Sequence, residues 1–208
     1  MSGSDTLSTF IDAAAVPAAV STAVCAAQTT AGIANLVING SLASGGVATL
    51  VPARNVTITT ASDNTGINFL ITGFLADGTT VSTETIAGPG AGLTVSTTSL
   101  FKQVTQVAVT GAITGNATLG SGISVVATVF AGRTRVRGIY FVTTATAGTI
   151  AITNGPTGGG EIGVKFATSG GANLADYPSM PDEGIVYPSG AYAVYTSTAV
   201  TGITVFYN

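Results

Sequence analysis

The chain has 208 residues, a net charge of −3, one cysteine, neither histidine nor tryptophan, and only 7% charged side chains, against roughly 25% in an ordinary soluble domain. Acid–base, metal and nucleophilic catalysis draw on His, Cys, Asp, Glu and Lys, so the inventory argues against an enzyme, a cofactor or a resident metal, and the acidic balance gives no reason to expect nucleic acid. Mean hydropathy is +0.56, yet a membrane span needs about 20 consecutive apolar residues and the best run, Ala13 to Ala27, is shorter and holds Pro17, Ser21 and Thr22.

Residues 1–33 differ from the rest and are expected to form an apolar N-terminal arm. Leu7 to Val16, with Ala13, Ala14 and Ala15, suits a short helix ended by Pro17. From Asn35 the pattern changes to short alternating runs broken by turn residues. Asn39-Gly40 is a hairpin signal, Gly45-Gly46 precedes the strand from Val47 to Val51, and Val56-Thr57-Ile58-Thr59 alternates cleanly. Asp63 to Gly66 turns the chain, Ile67, Phe69 and Ile71 share a strand face, and Asp77-Gly78 leads into the return strand from Val81 to Ile86. Leu93 to Val95 and Phe101 to Val109 complete a first β domain over residues 34–115.

Gly111 to Gly122 reads as a linker. A second β domain over 120–208 takes strands at Ile123 to Phe130, Val136 to Thr143, Gly148 to Thr153, Ile162 to Ala167, Gly184 to Tyr187, Ala191 to Tyr195 and Ile203 to Tyr207. The fold class is therefore all-β: two tandem small sandwich-like or barrel-like domains behind the arm. A membrane barrel fits less well, because the aromatics do not gather into bands. The first cation is Arg54, so no secretory leader is expected. A lone Cys25 makes no internal bridge, which permits folding in a reducing compartment.

Few features carry chemistry. Asn154 to Gly160 is glycine-rich, but a strand follows it where a phosphate loop needs a helix. Asp182-Glu183 with Asp176 lacks the spacing of a calcium loop. Arg133, Arg135 and Arg137 put three of the six cations within five residues, on one face of a strand. They read either as a solvated, edge-guarding stripe or as a docking stripe for acidic residues of a partner. Tyr177, Tyr187, Tyr192, Tyr195 and Tyr207 place five of six tyrosines in the last 32 residues. Tyrosine there fits core packing, an oligomer or receptor interface, or a sugar site. On the arm, Phe10, Val20 and Val24 are the candidate contact residues.

Leu36-Val37-Ile38-Asn39-Gly40, Gly45 to Leu50, Arg54 to Thr59, Glu84 to Pro89, Phe101 to Val107, Val136 to Tyr140, Pro181 to Ile185 and Thr204 to Tyr207 together resemble small β-rich virion structural proteins of tailed bacteriophages. The resemblance covers residues 34–208 at the level of pattern. It implies a capsid decoration or cement protein, assembled in the host cytoplasm into the virion. Its expected partners are the major capsid protein and other copies of itself, as a homo-oligomer, a trimer for choice. The alternative it implies is a tail, knob or head-fibre component that binds a host glycan through the C-terminal module.

Overall fold

β-Branched residues alternating with small polar ones favour the pleated strand over the helix, and the computed structural model is all-β. It describes residues 5–156, 161–171 and 173–208. Among these there are seventeen strands and no helix. Contacts divide the chain into a continuous unit, Ala18–Ile123, and a discontinuous unit that joins residues 5–17 to Ser124–Asn208.

In chain order, β1 (Leu7–Asp12) belongs to the discontinuous unit. The continuous unit holds β2 (Cys25–Gln28), β3 (Ala34–Asn35), β4 (Ala43–Ser44), β5 (Val47–Thr60), β6 (Asn68–Leu75), β7 (Val81–Ala87), β8 (Thr94–Ser96) and β9 (Phe101–Val109). Strand β10 (Ala117–Phe130) gives its first residues to this unit and its last to the other. The discontinuous unit continues with β11 (Thr134–Thr143), β12 (Gly148–Asn154), β13 (Glu161–Thr168), β14 (Ala175–Asp176), β15 (Ile185–Tyr187), β16 (Ala191–Thr196) and β17 (Val200–Tyr207).

The continuous unit orders its main strands β10-β5-β9-β6-β7, with β2 on β10, β3 on β9, and β4 and β8 on β5. Its core gathers Leu50, Ile58, Phe69, Ile71, Phe101 and Leu119. Turn chemistry explains the hairpins. Gly45 and Gly46, both at positive φ, make the two-residue turn between β4 and β5. Asp77 Oδ1 accepts the amides of Thr79 (3.0 Å) and Thr80 (2.9 Å) beside Gly78 at φ 73°. Glu84 on β7 clamps the segment before β9: one oxygen accepts Thr98 N (2.8 Å), the other Ser99 N (2.7 Å). Partial burial opposes the charge of Glu84, but these bonds outweigh it and hold the carboxyl below its ordinary range.

The discontinuous unit has two antiparallel sheets over one core. One runs β1-β17-β11-β14, with β15 also on β11; the other runs β13-β12-β16 and ends on β10. Ile139, Phe141, Ile203 and Val205 from the first meet Val125, Ile150, Ile152 and Tyr195 from the second. The rings of Phe141 and Phe166 touch between them at 5.9 Å.

Four expectations change. Leu7–Asp12 is a strand, not a helix: six residues pair in register with β17, from Leu7 opposite Tyr207 to Asp12 opposite Gly202. Tertiary pairing overrides the weak helix preference of three alanines. Residues 1–33 therefore do not form one extension, since Cys25–Gln28 pairs with β10 in the continuous unit and Val24 is fully buried there. Gly111 to Gly122 is not a linker, because β10 begins at Ala117. Its glycines serve close packing: a Cβ on Gly120 would lie 2.4 Å from the Val20 carbonyl oxygen. Asn39-Gly40 makes no hairpin; Gly40 presses on the Thr22–Ala23 backbone, where a Cβ would sit at 2.3 Å, and Asn39 Oδ1 accepts the Ala26 amide.

Candidate functional site

Strand alternation decides which side chains of the five-stranded sheet face outward. On β17, Val200, Ile203, Val205 and Tyr207 are buried, which leaves Thr204 and Phe206 on the outer face. On β11, a bulge between Val136 and Gly138 keeps Ile139 and Phe141 in the core and turns Arg135, Arg137 and Tyr140 outward. On the edge strand β1, Ile11 is inward and Phe10 outward. Register then sets Phe10, Thr204 and Tyr140 in one row across three strands.

Two glycines shape this face. The Cε2–Cζ edge of Phe10 comes close to Gly202, whose Cβ would lie 3.0 Å from Phe10 Cε2. The Tyr177 hydroxyl lies across Gly138, where a Cβ would meet it at 2.7 Å. Tyr177 also meets Phe206 edge to face, with ring centroids 6.3 Å apart. Phe10 and Tyr177 nonetheless remain 66% and 62% exposed.

The arginines stand on the same strand. Arg135 Nη1 donates to the Glu183 carbonyl at 2.6 Å and Arg137 Nη1 to the same oxygen at 3.5 Å. Gly184, at φ 71°, fits between their stems; a Cβ there would lie 3.1 Å from Arg135 Cγ and from Arg137 Cδ. Arg133 precedes the strand and is exposed. With Arg135, Val186 and Asn208 it lines a cleft of about 190 Å³. The expected stripe is thus a pair on the sheet plus one residue at its end. The chemistry on offer is non-covalent, with exposed aromatic side chains and guanidinium donors for an anion.

The tyrosines singled out from sequence lie elsewhere. Tyr187, Tyr192, Tyr195 and Tyr207 are buried in this unit and no more than 9% exposed, so the interface expected of them is corrected to buried packing. Tyr187, Tyr195 and Tyr207 join this unit's core, whereas Tyr192, three positions before Tyr195 on β16, is buried on the opposite face of that strand. Tyr187 is fully packed, burial pushes its phenol up to about 12, and its hydroxyl has no hydrogen-bond partner among the described residues. Of the arm candidates, Phe10 is on the outer face and Val24 is core. Val20 is 38% exposed and takes a hydrogen bond from the Ser121 amide at its carbonyl. Sequence reasoning missed Tyr140 and Phe206 as surface groups. Their signal was parity, since each sits one residue out of phase with buried Ile139 and Val205.

In the continuous unit a second cleft, of about 340 Å³, is lined by hydroxyls from Ser21, Thr57, Thr59, Thr94, Ser96 and Ser121. Thr59 and Thr94 bond each other at 2.7 Å across β5 and β8. Thr157 to Gly160 of the glycine-rich stretch lie outside the described residues. Among the described residues no group of three His, Cys, Asp or Glu side chains is placed to hold a metal ion. Comparison with known proteins finds no matching family model, curated protein or solved structure.

Proposed function

We propose that this chain is a virion structural subunit of the tailed-bacteriophage kind, a decoration or cement protein that binds the outer head surface and bridges capsid subunits. One observation supports the reading most: large apolar side chains stay open to solvent on units whose cores are already complete. Ile33 (84% exposed) and Val51 (65%) lie in the continuous unit, and Phe10 in the discontinuous one. A monomer with so few charges has little to keep such surfaces apart, so they mark sites that a partner covers. The partners in this reading are the major capsid protein and further copies of the chain. Many copies, each clamping neighbouring shell subunits, gain by avidity what single contacts lack.

The test is co-sedimentation of the purified chain with stripped particles, followed by cryo-electron microscopy to count copies against the shell subunit. Saturable, stoichiometric density on the head supports the proposal. A chain that stays monomeric by light scattering and leaves particles bare ends it. Deleting residues 1–33 is not a usable probe, because it removes β1, β2 and the buried Val24. Substitution of exposed Val51 or Ile33 by Ser is the clean one.

A further inference from the structure

We propose that strand β7 of the continuous unit is where a second copy of this chain joins edge to edge, antiparallel, about a two-fold axis through Thr83. The inference rests on the proposed function only for the presence of many copies side by side. An open sheet edge is a template for a further strand unless charge, a bulge or shortness blunts it. The terminal strands of the discontinuous unit are β1, β14 and β13; that of the continuous unit is β7. Strand β14 has two residues, β1 ends on Asp12, and β13 carries Glu161 and Lys165 against a bulged partner. Strand β7 is the open one. It holds no Lys, Arg or Pro and pairs with β6 without a register shift, and among the described residues β6 is its only ladder partner. Its one charged side chain, Glu84, is engaged by the Thr98 and Ser99 amides.

Parity shows which backbone groups this edge offers. The ladder to β6 is bracketed by Leu75 N donating to Thr80 O (2.9 Å) and Gly88 N donating to Ile67 O (2.8 Å). Bonded positions alternate in an antiparallel pair, so Ser82, Glu84 and Ile86 turn their peptide groups to β6. The N–H and C=O of Val81, Thr83, Thr85 and Ala87 therefore point out of the sheet, and these four residues are also the exposed ones. Val81 is 61% exposed. Such an edge takes an extended strand, and Glu84 selects the register in which β7 meets its own copy. Three two-fold registers bond outward groups to outward groups over most of the strand. Centred on Glu84, two carboxylates stand opposite, which is destabilising. Centred on Thr85, Glu84 faces Ile86 and gains no donor. Centred on Thr83, Glu84 faces the partner's Ser82, a hydroxyl donor, and Val81 is covered by the partner's Thr85. Thr83 then faces the partner's Thr83. Its hydroxyl already bonds Thr72 on β6 at 2.8 Å, so the axis continues one threonine row through both copies. This self-complementarity is why the occupant assigned is a second copy.

The experiment is sedimentation equilibrium of the full chain, without particles, up to millimolar concentration. A concentration-dependent dimer is expected. Thr83→Pro removes an N–H that β6 does not use, so the fold is kept. Two hydrogen bonds across the axis are lost, and the dimer should weaken by about tenfold or more. Thr83→Lys and Thr83→Glu each set like charges on the axis and should be monomeric alone. Mixed in equal amounts they should form a heterodimer, which only a register centred on this position allows. Circular dichroism of each variant confirms that it folds. The proposal is overturned if the chain stays monomeric throughout, if folded Thr83→Pro dimerises like the parent, or if the Lys and Glu variants recover no dimer on mixing. It is also overturned if β7 gains its added strand only from a shell subunit, seen as density extending that edge on decorated particles. Occupancy of particles is scored separately. A monomer that still decorates heads ends this inference and spares the proposed function; a dimer that leaves heads bare does the reverse.

Discussion

Tyr187→Phe is the substitution that tests the packing most directly. The side chain is 1% exposed and its hydroxyl finds no partner among the described residues. Gly163 makes room for it, since a Cβ there would lie 2.2 Å from the hydroxyl oxygen. A buried, unbonded hydroxyl costs about 1–3 kcal/mol, and Phe fills nearly the same volume, so the variant should be about 1–2 kcal/mol more stable at neutral pH. A second signature follows from ionisation. Burial raises the folded phenol to about 12 from its ordinary value of 10.0, so the stability it contributes is complete below about pH 10 and is lost as pH rises towards 12. At about pH 11 that loss is roughly 1.4 kcal/mol from this residue alone, and Phe removes it. Urea denaturation followed by circular dichroism at neutral and alkaline pH measures both. A variant less stable at neutral pH, with the same alkaline slope as the parent, would show that the hydroxyl is satisfied and that the argument fails.

Other substitutions probe other links. Glu84→Gln should cost about 1–2 kcal/mol by weakening charge-assisted bonds to Thr98 and Ser99. Because the folded carboxyl is lowered, the parent's advantage should be present above the unfolded value and vanish as pH falls through the folded one; acid titration of stability in both proteins reads this. Gly120→Ala drives a Cβ into the Val20–Ser21 backbone and should destabilise by about 1–3 kcal/mol, visible as a lower urea midpoint. Cys25 is fully buried and its thiol is pushed up to about 12. A thiol reagent should therefore leave it untouched in the folded chain and label it at the rate of unfolding.

Strand content was legible because it depends on local pattern. Val56 to Thr59, the Asp77-Gly78 turn and Phe101 to Val109 appear as read, each set by alternation or by a residue whose backbone preference is strong. What failed needed knowledge of partners. The three alanines after Asp12 favour a helix until β17 offers Leu7 to Asp12 a ladder. Gly120 and Gly40 look like flexibility in one dimension and are close contacts in three. The candidate site shows the same division. Clustering drew attention to the tyrosines near the C-terminus, yet four are buried, Tyr187, Tyr195 and Tyr207 in the core and Tyr192 on the other face of β16. Phe10 is exposed because it sits one residue out of phase with buried Ile11 on the edge strand β1.

The pairing of Leu7 with Tyr207 also sets a timetable. Residues 18–123 contain every strand their own core requires, so that unit can close while synthesis is still under way. Strand β1 cannot; its ladder partner among the described residues, β17, follows every other described strand in sequence. Nascent chains should hold Phe10 and Ile11 unpaired until β17 has been made, and a contact of such sequence separation forms slowly. Crowded synthesis thus exposes one short sticky ribbon, and its chance encounters with sibling chains are the expected route to misassembly.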